Sequence, residues 1–307
     1  MAVPSDISVV VLSWNTKALL QACLASLREA RDGLDLEVVV IDNGSEDGSA
    51  DMVATEFPEV VLERNQDNRG YAIAVNQGIR RSRGRKVCLL GSDTRVRPGT
   101  LRALAEFLDA NQDVGAVAPP LLDDDGTYQR ACMRFPTLLT AIWWDTPLQS
   151  WWANSTELRR YQMKDWDHRG TREIDQPPGT CFMVPRTVID EVGFMDERLW
   201  LFFNDVDWAL RIRRAGYRIW YVETPGVFHR QSSSCSRYAD FASEWHKNRI
   251  HFYKKHYHAL GSLITKAVAV YVVLRECVRT KRHLPFGRAY WRQCRMLLGK
   301  GWAALTQ

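Results

Sequence analysis

Apolar runs and segments of helical period alternate along the first ninety residues. The run 7–12 is β-branched and typical of a buried strand, and the apolar residues that follow recur at helical spacing, at Leu20, Cys23, Leu24 and Leu27. Further strand-like runs follow at 37–41, 60–62 and 86–90, and helical patterns pass through Met52 and Val53 and then through Ala72 and Ile79. Strands that alternate with helices predict an α/β fold with a mostly parallel sheet covered on both faces.

Polar, loop-forming residues follow three of these strands, at 13–16, 42–45 and 91–93. In open α/β sheets, ligands bind at the carboxyl ends of the strands, so these segments are candidates for one ligand site. A dinucleotide-binding fold would place G-x-G-x-x-G after its first strand, whereas this turn reads Ser-Trp-Asn-Thr. Asp42 precedes Gly44 and is placed to accept hydrogen bonds from a base or ribose; the alternative is a tight turn with a helix cap.

Two acids open a helix directly after the aromatic run 201–203. We expect this helix to begin near Asp205, to continue to Ala215 and to stop at Gly216, with both acids at its exposed mouth. We expect its buried face to hold Val206, Ala209 and Leu210. Asp205 and Asp207 differ by about 200° around the helix axis, so only one of them is expected to act as a base. The alternative is that both are ordinary helix-start acids favoured by the helix dipole.

The composition is that of an ordinary globular protein, with 307 residues, 46% hydrophobic and 25% charged. This length suits one large domain, or one domain with an appendage. Residues 1–6 contain no basic stretch followed by an apolar one, so we expect no secretory signal and a cytoplasmic protein. The seven cysteines are dispersed without a C-x-x-C pair, which indicates reduced thiols rather than disulfides or a zinc site.

Much of the excess positive charge lies in the C-terminal tail. The net charge is +5, and from Arg275 onward eight Lys/Arg residues accompany the single acid Glu276, interleaved with aromatic residues. The preceding run 260–274 is apolar but shorter than the roughly 20 residues that span a bilayer. We therefore divide the chain into a catalytic domain, 1–258, and an amphipathic, basic helical region, 259–307, that lies on an anionic membrane surface. The alternatives are a helix hairpin packed on the catalytic domain and a nucleic-acid-binding patch.

Four of the five tryptophans of the segment 121–178 are concentrated at positions 143, 144, 151 and 152. Indole rings stack on sugars and also lie well at lipid interfaces, whereas the alternative is a packed flap over the sheet. We interpret 121–178 as an insertion that shapes the acceptor side, before a strand returns at 179–184.

Five motifs occur in an order and spacing that resemble the family 2 glycosyltransferases of GT-A fold. They are Val-Val-Val-Leu-Ser-Trp-Asn at 9–15, Val-Val-Ile-Asp-Asn-Gly-Ser-Glu-Asp-Gly-Ser at 39–49, Asn-Arg-Gly-Tyr-Ala at 68–72 with Asn-Gln-Gly at 76–78, Ser-Asp-Thr at 92–94, and Asn-Asp-Val-Asp at 204–207. The resemblance covers residues 6–235 and implies a donor half, about 1–120, and an acceptor half, about 121–258. The stretch 161–179, with Trp-Asp-His at 166–168, is similar to bacterial rhamnosyltransferases of cell-envelope polysaccharide assembly.

The resemblance implies a set of donor-binding residues: Asn15, Asp42, Asn43, Gly70, Asn76, Ser92, Asp93 and Arg230. Within this set, Asp42 would bind the base or ribose. Asp93 ends the family's metal-binding D-x-D motif and would hold Mg²⁺ or Mn²⁺ against the donor diphosphate, with His229 as a second ligand. The sequence departs from the family at position 91, which is Gly rather than an acid. Arg230 and the serines at 232–234 would contact phosphate oxygens.

The resemblance also implies the catalytic base. Asp205 would deprotonate the acceptor hydroxyl as it attacks the anomeric carbon from the face opposite the nucleotide, which inverts the configuration. Asp207 is the second choice for this role. Position 204 is Asn where the family usually has Glu, and the loss of that neighbouring negative charge favours ionisation of Asp205.

The expected function is therefore that of a metal-dependent, inverting glycosyltransferase. Its donor is dTDP-L-rhamnose and its acceptor a lipid-linked glycan at the cytoplasmic face of the cell membrane, with no nucleic acid partner. The alternatives are another donor, such as UDP-galactofuranose or a UDP-hexose, and a sugar-nucleotide or glycan-binding protein without turnover. A nucleotidyltransferase would be expected to have a triphosphate loop rich in Gly, Arg and Lys after its first strand, and residues 13–17 contain no glycine.

Overall fold

The computed structural model describes residues 6–31, 33–230 and 241–283. The strands are β1 (Ile7–Ser13), β2 (Leu36–Asp42), β3 (Val61–Arg64), β4 (Lys86–Gly91), β5 (Thr94–Val96), β6 (Val114–Ala118), β7 (Leu121–Leu122), β8 (Arg172–Glu173), β9 (Cys181–Pro185), β10 (Arg218–Tyr221) and β11 (Val227–His229). The helices are α1 (Lys17–Glu29), α2 (Ser49–Glu56), α3 (Tyr71–Arg81), α4 (Thr100–Ala110), α5 (Leu138–Trp143), α6 (Leu148–Trp151), α7 (Thr156–Tyr161), α8 (Arg186–Val192), α9 (Asn204–Arg214) and α10 (Phe241–His283).

The large sheet has the strand order β3-β2-β1-β4-β9-β6-β10-β8. It is parallel from β3 to β4 and between β6 and β10. Strand β9 lies antiparallel between β4 and β6. Two apolar clusters cover the sheet, one including α1, α2 and α4 and the other including α3, α8 and α9. The predicted α/β fold is confirmed, and the antiparallel β9 is the feature that the alternation of strands and helices did not indicate.

A smaller sheet brings two distant segments of the chain together. Strand β11 lies between β5 and β7 and pairs antiparallel with β5, so His229 lies opposite Thr94. Because Thr94 directly follows Asp93, this pairing places the imidazole of residue 229 beside the carboxylate of residue 93.

The chain divides into two compact units. The first comprises 1–135, 162–200 and 204–237, and the second comprises 136–161, 201–203 and 238–307. Within the described residues, the first unit contains both sheets and the second contains α5, α6, α7 and α10. The boundary that we expected at residue 258 falls within α10.

Helix α10 reverses direction at His258, whose backbone is non-helical (φ 55°, ψ −145°). Arg249 Nη1 lies 3.1 Å from Asp145 Oδ2, and Arg275 Nη1 lies 3.4 Å from the Asp145 carbonyl oxygen. A straight helix would separate residues 249 and 275 by about 39 Å. Gly261 allows the reversal, because a Cβ at this position would lie 2.5 Å from the carbonyl oxygen of Tyr253. Helix α10 is therefore a hairpin of two arms, 241–257 and 259–283.

The hairpin changes how the apolar tail is interpreted. By length and composition alone, Ser243–Arg275 would suffice to cross a membrane, which differs from our expectation from the run 260–274. The first arm is shorter than the roughly 20 residues that a spanning helix needs and contains five charged residues. The second arm is longer, but its apolar run ends at Leu274 and includes Lys266. The hairpin considered at the sequence level lay within 259–307, whereas the observed one has its first arm at 241–257, before the expected boundary. The basic residues beyond 283 lie outside the described part.

The tryptophans of the insertion divide into packed and exposed ones. Trp143 is 6% exposed, and the Trp144 ring lies 6.0 Å from Tyr161 and 6.4 Å from Trp245. By contrast, Trp151 is 73% exposed and Trp152 is 52% exposed. The first pair is therefore packed within the second unit, whereas the second pair faces solvent; whether the insertion covers the sheet stays a prediction.

Candidate active site

The loops that follow β1 and β2 are joined by reciprocal hydrogen bonds. The backbone N–H of Asn15 donates to Ser45 Oγ (2.8 Å), and Asn15 Oδ1 accepts from the N–H of Glu46 (2.8 Å). Asn15 adopts the left-handed conformation (φ 53°), which asparagine tolerates better than most residues. The expected donor residue Asn15 thus fixes the shape of the edge at which β1 and β2 end.

Asp42 ends β2 with one carboxylate oxygen that lacks a partner. The residue is 2% exposed, and its Oδ2 accepts from the N–H of Ser45 (3.0 Å). Its Oδ1 is buried and has no hydrogen-bond partner. A buried acceptor without a donor is costly, so an N–H or O–H group of a ligand at this edge would satisfy it.

Asn43 and Asn76 hold protein backbone instead of facing a ligand. Asn43 is 2% exposed, and its Oδ1 accepts from Asn65 Nδ2 (2.9 Å) and from the N–H of Arg69 (3.1 Å). Asn76 is 1% exposed and exchanges both hydrogen bonds with the backbone of Met195 (2.9 and 3.0 Å). Short amides of this kind are effective clamps for loops, and we therefore remove both residues from the expected donor set.

Ser92 and Gly70 also have local structural partners. Ser92 is 4% exposed, and its hydroxyl lies 2.8 Å from Thr16 Oγ1, which links the ends of β1 and β4. Gly70 adopts φ 86°, and any side chain there would overlap the ring of Trp200. The N–H of Tyr71 donates to the carbonyl oxygen of Trp200 (2.6 Å), so the start of α3 lies directly on this residue.

Asp93 and His229 meet at the junction of β4, β5 and β11. His229 Nε2 lies 3.9 Å from Asp93 Oδ1, and both side chains are largely buried. Burial lowers the pKa of His229, although the charges of Asp93 and Asp123 oppose this effect. The imidazole is therefore neutral at pH 7, which is the form that binds metals.

Gln129, which the sequence did not single out, sets the tautomer of His229. Its Nε2 donates to Asp123 Oδ1 (2.7 Å) and to the carbonyl oxygen of His229 (2.7 Å). Its Oε1 therefore accepts from His229 Nδ1 (2.9 Å). A neutral ring that donates through Nδ1 leaves Nε2 as an acceptor on the side of Asp93.

These residues fit a divalent cation held partly by the protein. Ligand bonds of about 2.0–2.4 Å to one oxygen and one imidazole nitrogen leave the two ligand atoms about 3–4 Å apart, as observed here. Within the described part of the chain, no group of three or more His, Cys, Asp or Glu side chains is arranged to hold a metal. The remaining ligands would come from a bound molecule or from water.

Gly91 leaves the space that the Asp93 side chain uses. A Cβ at position 91 would lie 2.8 Å from Asp93 Oδ1. Position 91 has Gly where the resembling family has an acid, and the Asp93 side chain lies in the space that a side chain at position 91 would need.

The backbone N–H of Arg230 donates to the carbonyl oxygen of Asp93 (3.1 Å), while the Arg230 side chain is exposed. The serines at 232–234 lie outside the described residues.

Asp205 lies in the first turn of α9 and is partly exposed. Its Oδ1 accepts from the N–H of Val206 (2.8 Å), and burial of the carboxyl group raises its pKa above the usual value. Asn204, at the position where the family usually has Glu, is buried and donates to the carbonyl oxygen of Leu199 (3.3 Å). The residue before it, Phe203, has a left-handed backbone (φ 62°).

Tyr71 lies beside the segment that Asp205 approaches. Its hydroxyl donates to the carbonyl oxygen of Gly179 (2.9 Å). Burial raises the pKa of Tyr71, and the charges of Asp205 and Asp93 raise it further. Asp205 Oδ2 lies against Gly179, and the next residue, Thr180, accepts from the N–H of Gly91 (2.8 Å), the position that Asp93 Oδ1 faces. Tyr71 belongs to the motif 68–72, which the sequence analysis recognised, but that analysis gave Tyr71 itself no role.

Asp207 is buried in an ion pair. It is 0% exposed, and its Oδ2 lies 2.9 Å from Nε of Arg211, one helical turn further on. Our expectation that both acids lie at an exposed helix mouth is wrong for Asp207, because this guanidinium compensates the buried charge. Of the three apolar residues expected on the buried face, only Ala209 is buried; the buried residues of α9 are Asn204, Asp207, Trp208, Ala209 and Ile212.

Gly179→Ala is expected to lower turnover by about 10–100-fold without unfolding the protein, the range reported for small displacements of reacting groups. The added Cβ would overlap Asp205 Oδ2 and lie 3.1 Å from its Cγ, so the carboxylate must shift. The kcat of the variant and its thermal unfolding test this expectation. Gly126→Ala is the control, because its Cβ meets no atom within 4 Å and only its positive φ (85°) opposes the change. Equal kcat values for the two variants would contradict the prediction.

The sequence matches the family described as "Glycosyl transferase family 2" over residues 8–193. This range includes Asp42 and Asp93 and ends before Asp205.

Three known proteins give the comparison more detail. The N-acetylglucosaminyl-diphospho-decaprenol L-rhamnosyltransferase of Mycobacterium tuberculosis is 27% identical over 240 residues, which are 75% of this chain and 77% of the relative. The solved mannosyltransferase PcManGT of Pyrobaculum calidifontis, in complex with GDP-Man and Mn²⁺, superposes with a TM-score of 0.51 at 18% identity, covering 98% of this chain and 86% of that one. S. aureus TarS gives a TM-score of 0.53 at 15% identity, covering 92% of this chain and 44% of that one. At these sequence identities the two structures are evidence for the fold alone, and they confirm the expected GT-A architecture.

Proposed function

The chain belongs to glycosyl transferase family 2, and on that premise we propose that it transfers L-rhamnose from dTDP-L-rhamnose to a lipid-linked glycan with inversion of configuration. The observation that supports this most strongly is the pairing between the end of β4 and the segment before β9: the N–H of Gly91 donates to the carbonyl oxygen of Thr180 (2.8 Å), Asp93 Oδ1 lies against position 91, and Asp205 Oδ2 lies against position 179. A donor-binding carboxylate and a general base have to lie on either side of one sugar, and these two come from different motifs.

We propose that the donor binds along the ends of β1, β2 and β4. The unpartnered Oδ1 of Asp42 accepts a hydrogen bond from the base or ribose, and Asn15 shapes this pocket. Asp93 and His229 would hold Mg²⁺ or Mn²⁺, and the bound cation would neutralise charge on the leaving diphosphate. Arg230, exposed beside Asp93, is placed to contact phosphate oxygens.

We propose that Asp205 is the general base. Its carboxylate lies against Gly179, and the residue as a whole is partly exposed, so Asp205 borders the surface that an acceptor would approach. The raised pKa of Asp205 makes it a stronger base than an ordinary aspartate. Asp207 is less suited to this role, because it is fully buried and its carboxylate is already paired with Arg211 (2.9 Å).

The donor and acceptor are proposed from the rhamnosyltransferase relative. That enzyme is named for the transfer of L-rhamnose to N-acetylglucosaminyl-diphospho-decaprenol, a sugar on a lipid diphosphate. We extend this chemistry to the present chain as a role in cell-envelope polysaccharide synthesis. The protein would act at the cytoplasmic face of the cell membrane, attached peripherally through the basic region 259–307.

The experiment that tests the proposal is donor-dependent nucleotide release by the purified protein. It is run with Mg²⁺ or Mn²⁺ across dTDP-, UDP- and GDP-sugars, with a membrane-lipid extract as acceptor. We expect release from dTDP-L-rhamnose that requires the extract. If nucleotide is released only from UDP-galactofuranose or a UDP-hexose, that sugar nucleotide is the donor instead of dTDP-L-rhamnose. If the protein binds nucleotide but releases none from any donor, the chain is a sugar-nucleotide-binding protein and the proposed transfer is wrong.

A further inference from the structure

The second arm of the α10 hairpin exposes apolar side chains along its outer side. The exposed fractions are 55% for Leu260, 67% for Leu263, 41% for Val270, 54% for Leu274 and 57% for Val278. These positions, together with the exposed position 267, recur every three or four residues and occupy an arc of about 80° on a helix. We call this set the outer stripe.

The opposite face of the same arm is already buried. Gly261, Thr265, Val268 and Ala269 are buried and lie roughly opposite the outer stripe around the helix axis. An ordinary surface helix presents polar residues on the side that faces away from its packing partner. This arm is apolar on both sides, so the outer stripe is left for contact with something other than water.

Two exposed tryptophans lie in the same unit as the outer stripe. Trp151 and Trp152 end α6 and follow Asp145, whose carbonyl oxygen accepts a hydrogen bond from Arg275 (3.4 Å). This bond holds the chain that leads into α6 beside the C-terminal part of the second arm. Indole rings are enriched where apolar and aqueous regions of a membrane meet.

The charges that accompany the outer stripe are basic. Lys266 and Arg275 lie on either side of it around the helix axis, and both are partly exposed. Arg275 is followed in the sequence by seven more Lys/Arg residues and by the single acid Glu276. Long basic side chains keep their charged ends at the surface while their stems cover apolar area.

We propose that the outer stripe, with Trp151 and Trp152, is a docking face for an anionic lipid bilayer, on which the second arm lies in the plane of the membrane. A bilayer surface provides both an apolar layer and negative charge, and it does not need a complementary shape. A second copy of the chain would bring the same basic residues toward each other. The proposal rests on the proposed function, which places the region 259–307 at the membrane, and it deepens that function by naming the side chains that would enter the bilayer.

The proposal is tested by co-sedimentation of the full-length protein with vesicles. The vesicles contain either phosphatidylcholine alone or phosphatidylcholine with phosphatidylglycerol. We expect the protein to bind the anionic vesicles, and the double variant Leu263→Glu/Val270→Glu to lower the bound fraction per vesicle lipid by at least about tenfold, since charged side chains are strongly disfavoured in an apolar layer. The matched control is Val61→Glu/Phe194→Glu, which places the same charges on two exposed apolar positions (42% and 40%) in the first unit.

Two further measurements keep the result interpretable. Trp151→Ala/Trp152→Ala serves as a second, milder variant, because both side chains are exposed, and it is expected to weaken binding to anionic vesicles several-fold. Light scattering after size exclusion reports the oligomeric state. Unchanged vesicle binding in both variants would overturn the proposal. So would a wild-type dimer that the glutamate variant dissociates without any vesicle binding, which would make the stripe an interface between copies.

The same variants separate this inference from the proposed function. With a detergent-solubilised, short-chain acceptor, the Leu263→Glu/Val270→Glu variant should release nucleotide from the donor as fast as the wild type. Loss of vesicle binding with transfer intact supports the docking face. If the wild type transfers no sugar, the proposed function is wrong. The vesicle-binding result still decides whether the outer stripe is a docking face, because that measurement needs no transfer.

Discussion

Asp205→Asn is expected to lower transfer by about 10²–10⁴-fold while donor binding stays at the wild-type level, the usual contribution of a positioned general base. The amide has nearly the same shape as the carboxylate but cannot remove a proton from the acceptor hydroxyl. The measurements are kcat from product formation and the donor Kd from titration in the absence of acceptor. Turnover near that of the wild type would exclude Asp205 as the base.

Asp207→Asn is the matched comparison, since it makes the same change two residues further on. Asp207 is fully buried against Arg211, which is itself partly exposed, so its neutralisation leaves a guanidinium at the edge of the interior with a weakened partner. Breaking a buried ion pair costs about 3–5 kcal/mol, and neutralisation that retains a hydrogen bond costs less. We therefore expect this variant to unfold at lower temperature yet to keep most of its kcat per folded molecule, which is the reverse of Asp205→Asn.

The pH dependence of kcat follows from the raised pKa of Asp205. A base acts only when it is unprotonated, so turnover should be present above the folded-state pKa and fall as the pH drops through it. Because burial raises this pKa above the ordinary value of 3.8, the acid limb of the profile lies higher than for an exposed aspartate. A raised pKa also means that the ionised group disfavours folding at neutral pH. Asp205→Asn should therefore unfold at a temperature equal to or above that of the wild type at pH 7.

Asp93→Asn is expected to remove most of the metal-dependent part of nucleotide binding. Asp93 is the acidic partner of His229 in the candidate metal site, so its neutralisation removes the charge that attracts a divalent cation. In the presence of Mn²⁺ we expect the Kd for the nucleoside diphosphate to rise by about 10–100-fold. Without the metal, the wild type and the variant should bind alike, because Asp42 at the other end of the pocket is unchanged. This comparison is a binding measurement and needs no acceptor.

Gln129→Leu provides a graded control for the same site. It removes the acceptor that fixes the His229 tautomer and leaves Asp93 in place. Loss of such supporting groups typically costs 10–100-fold in metal affinity. We expect the Mn²⁺ concentration that gives half-maximal nucleotide binding to rise in this variant, with the maximum retained. If Asp93→Asn binds the nucleotide as the wild type does at saturating Mn²⁺, the metal site has been placed wrongly.

The sequence was sufficient for the strands and for the edge at which the site lies. Buried strands of an α/β sheet are short, continuous apolar runs, and each of the first four was recognisable for that reason. The segments that follow three of them bear Asn15, Asp42 and Asp93, because the ends of parallel strands meet at one edge. The direction of β9 was not predictable, since an apolar run of five residues has no signal for parallel or antiparallel pairing.

Side-chain roles were harder to predict than positions. Asn43 and Asn76 occur in motifs that pointed to the donor, yet their amides are used to hold the backbone at residues 69 and 195. The burial of Asp207 depends on Arg211, and a four-residue spacing of opposite charges is equally common on exposed faces. Gln129 acts through contacts with residues about 100 positions away, which no local pattern indicates.

The segment 201–203 determines where the protein can be cut. Phe203, whose backbone is left-handed, packs its ring 5.1 Å from Trp245 and 5.3 Å from Phe252, and the N–H of Leu201 donates to Asn248 Oδ1 (3.3 Å). A left-handed non-glycine residue costs of the order of 1–2 kcal/mol and persists only where its surroundings enforce it. A fragment that ends at residue 237 would include every residue proposed to bind the donor or remove the proton. It would nevertheless lack the aromatic partners of Phe203, two residues before the proposed base, so we expect a fragment that keeps the proposed activity to extend through the first arm of α10.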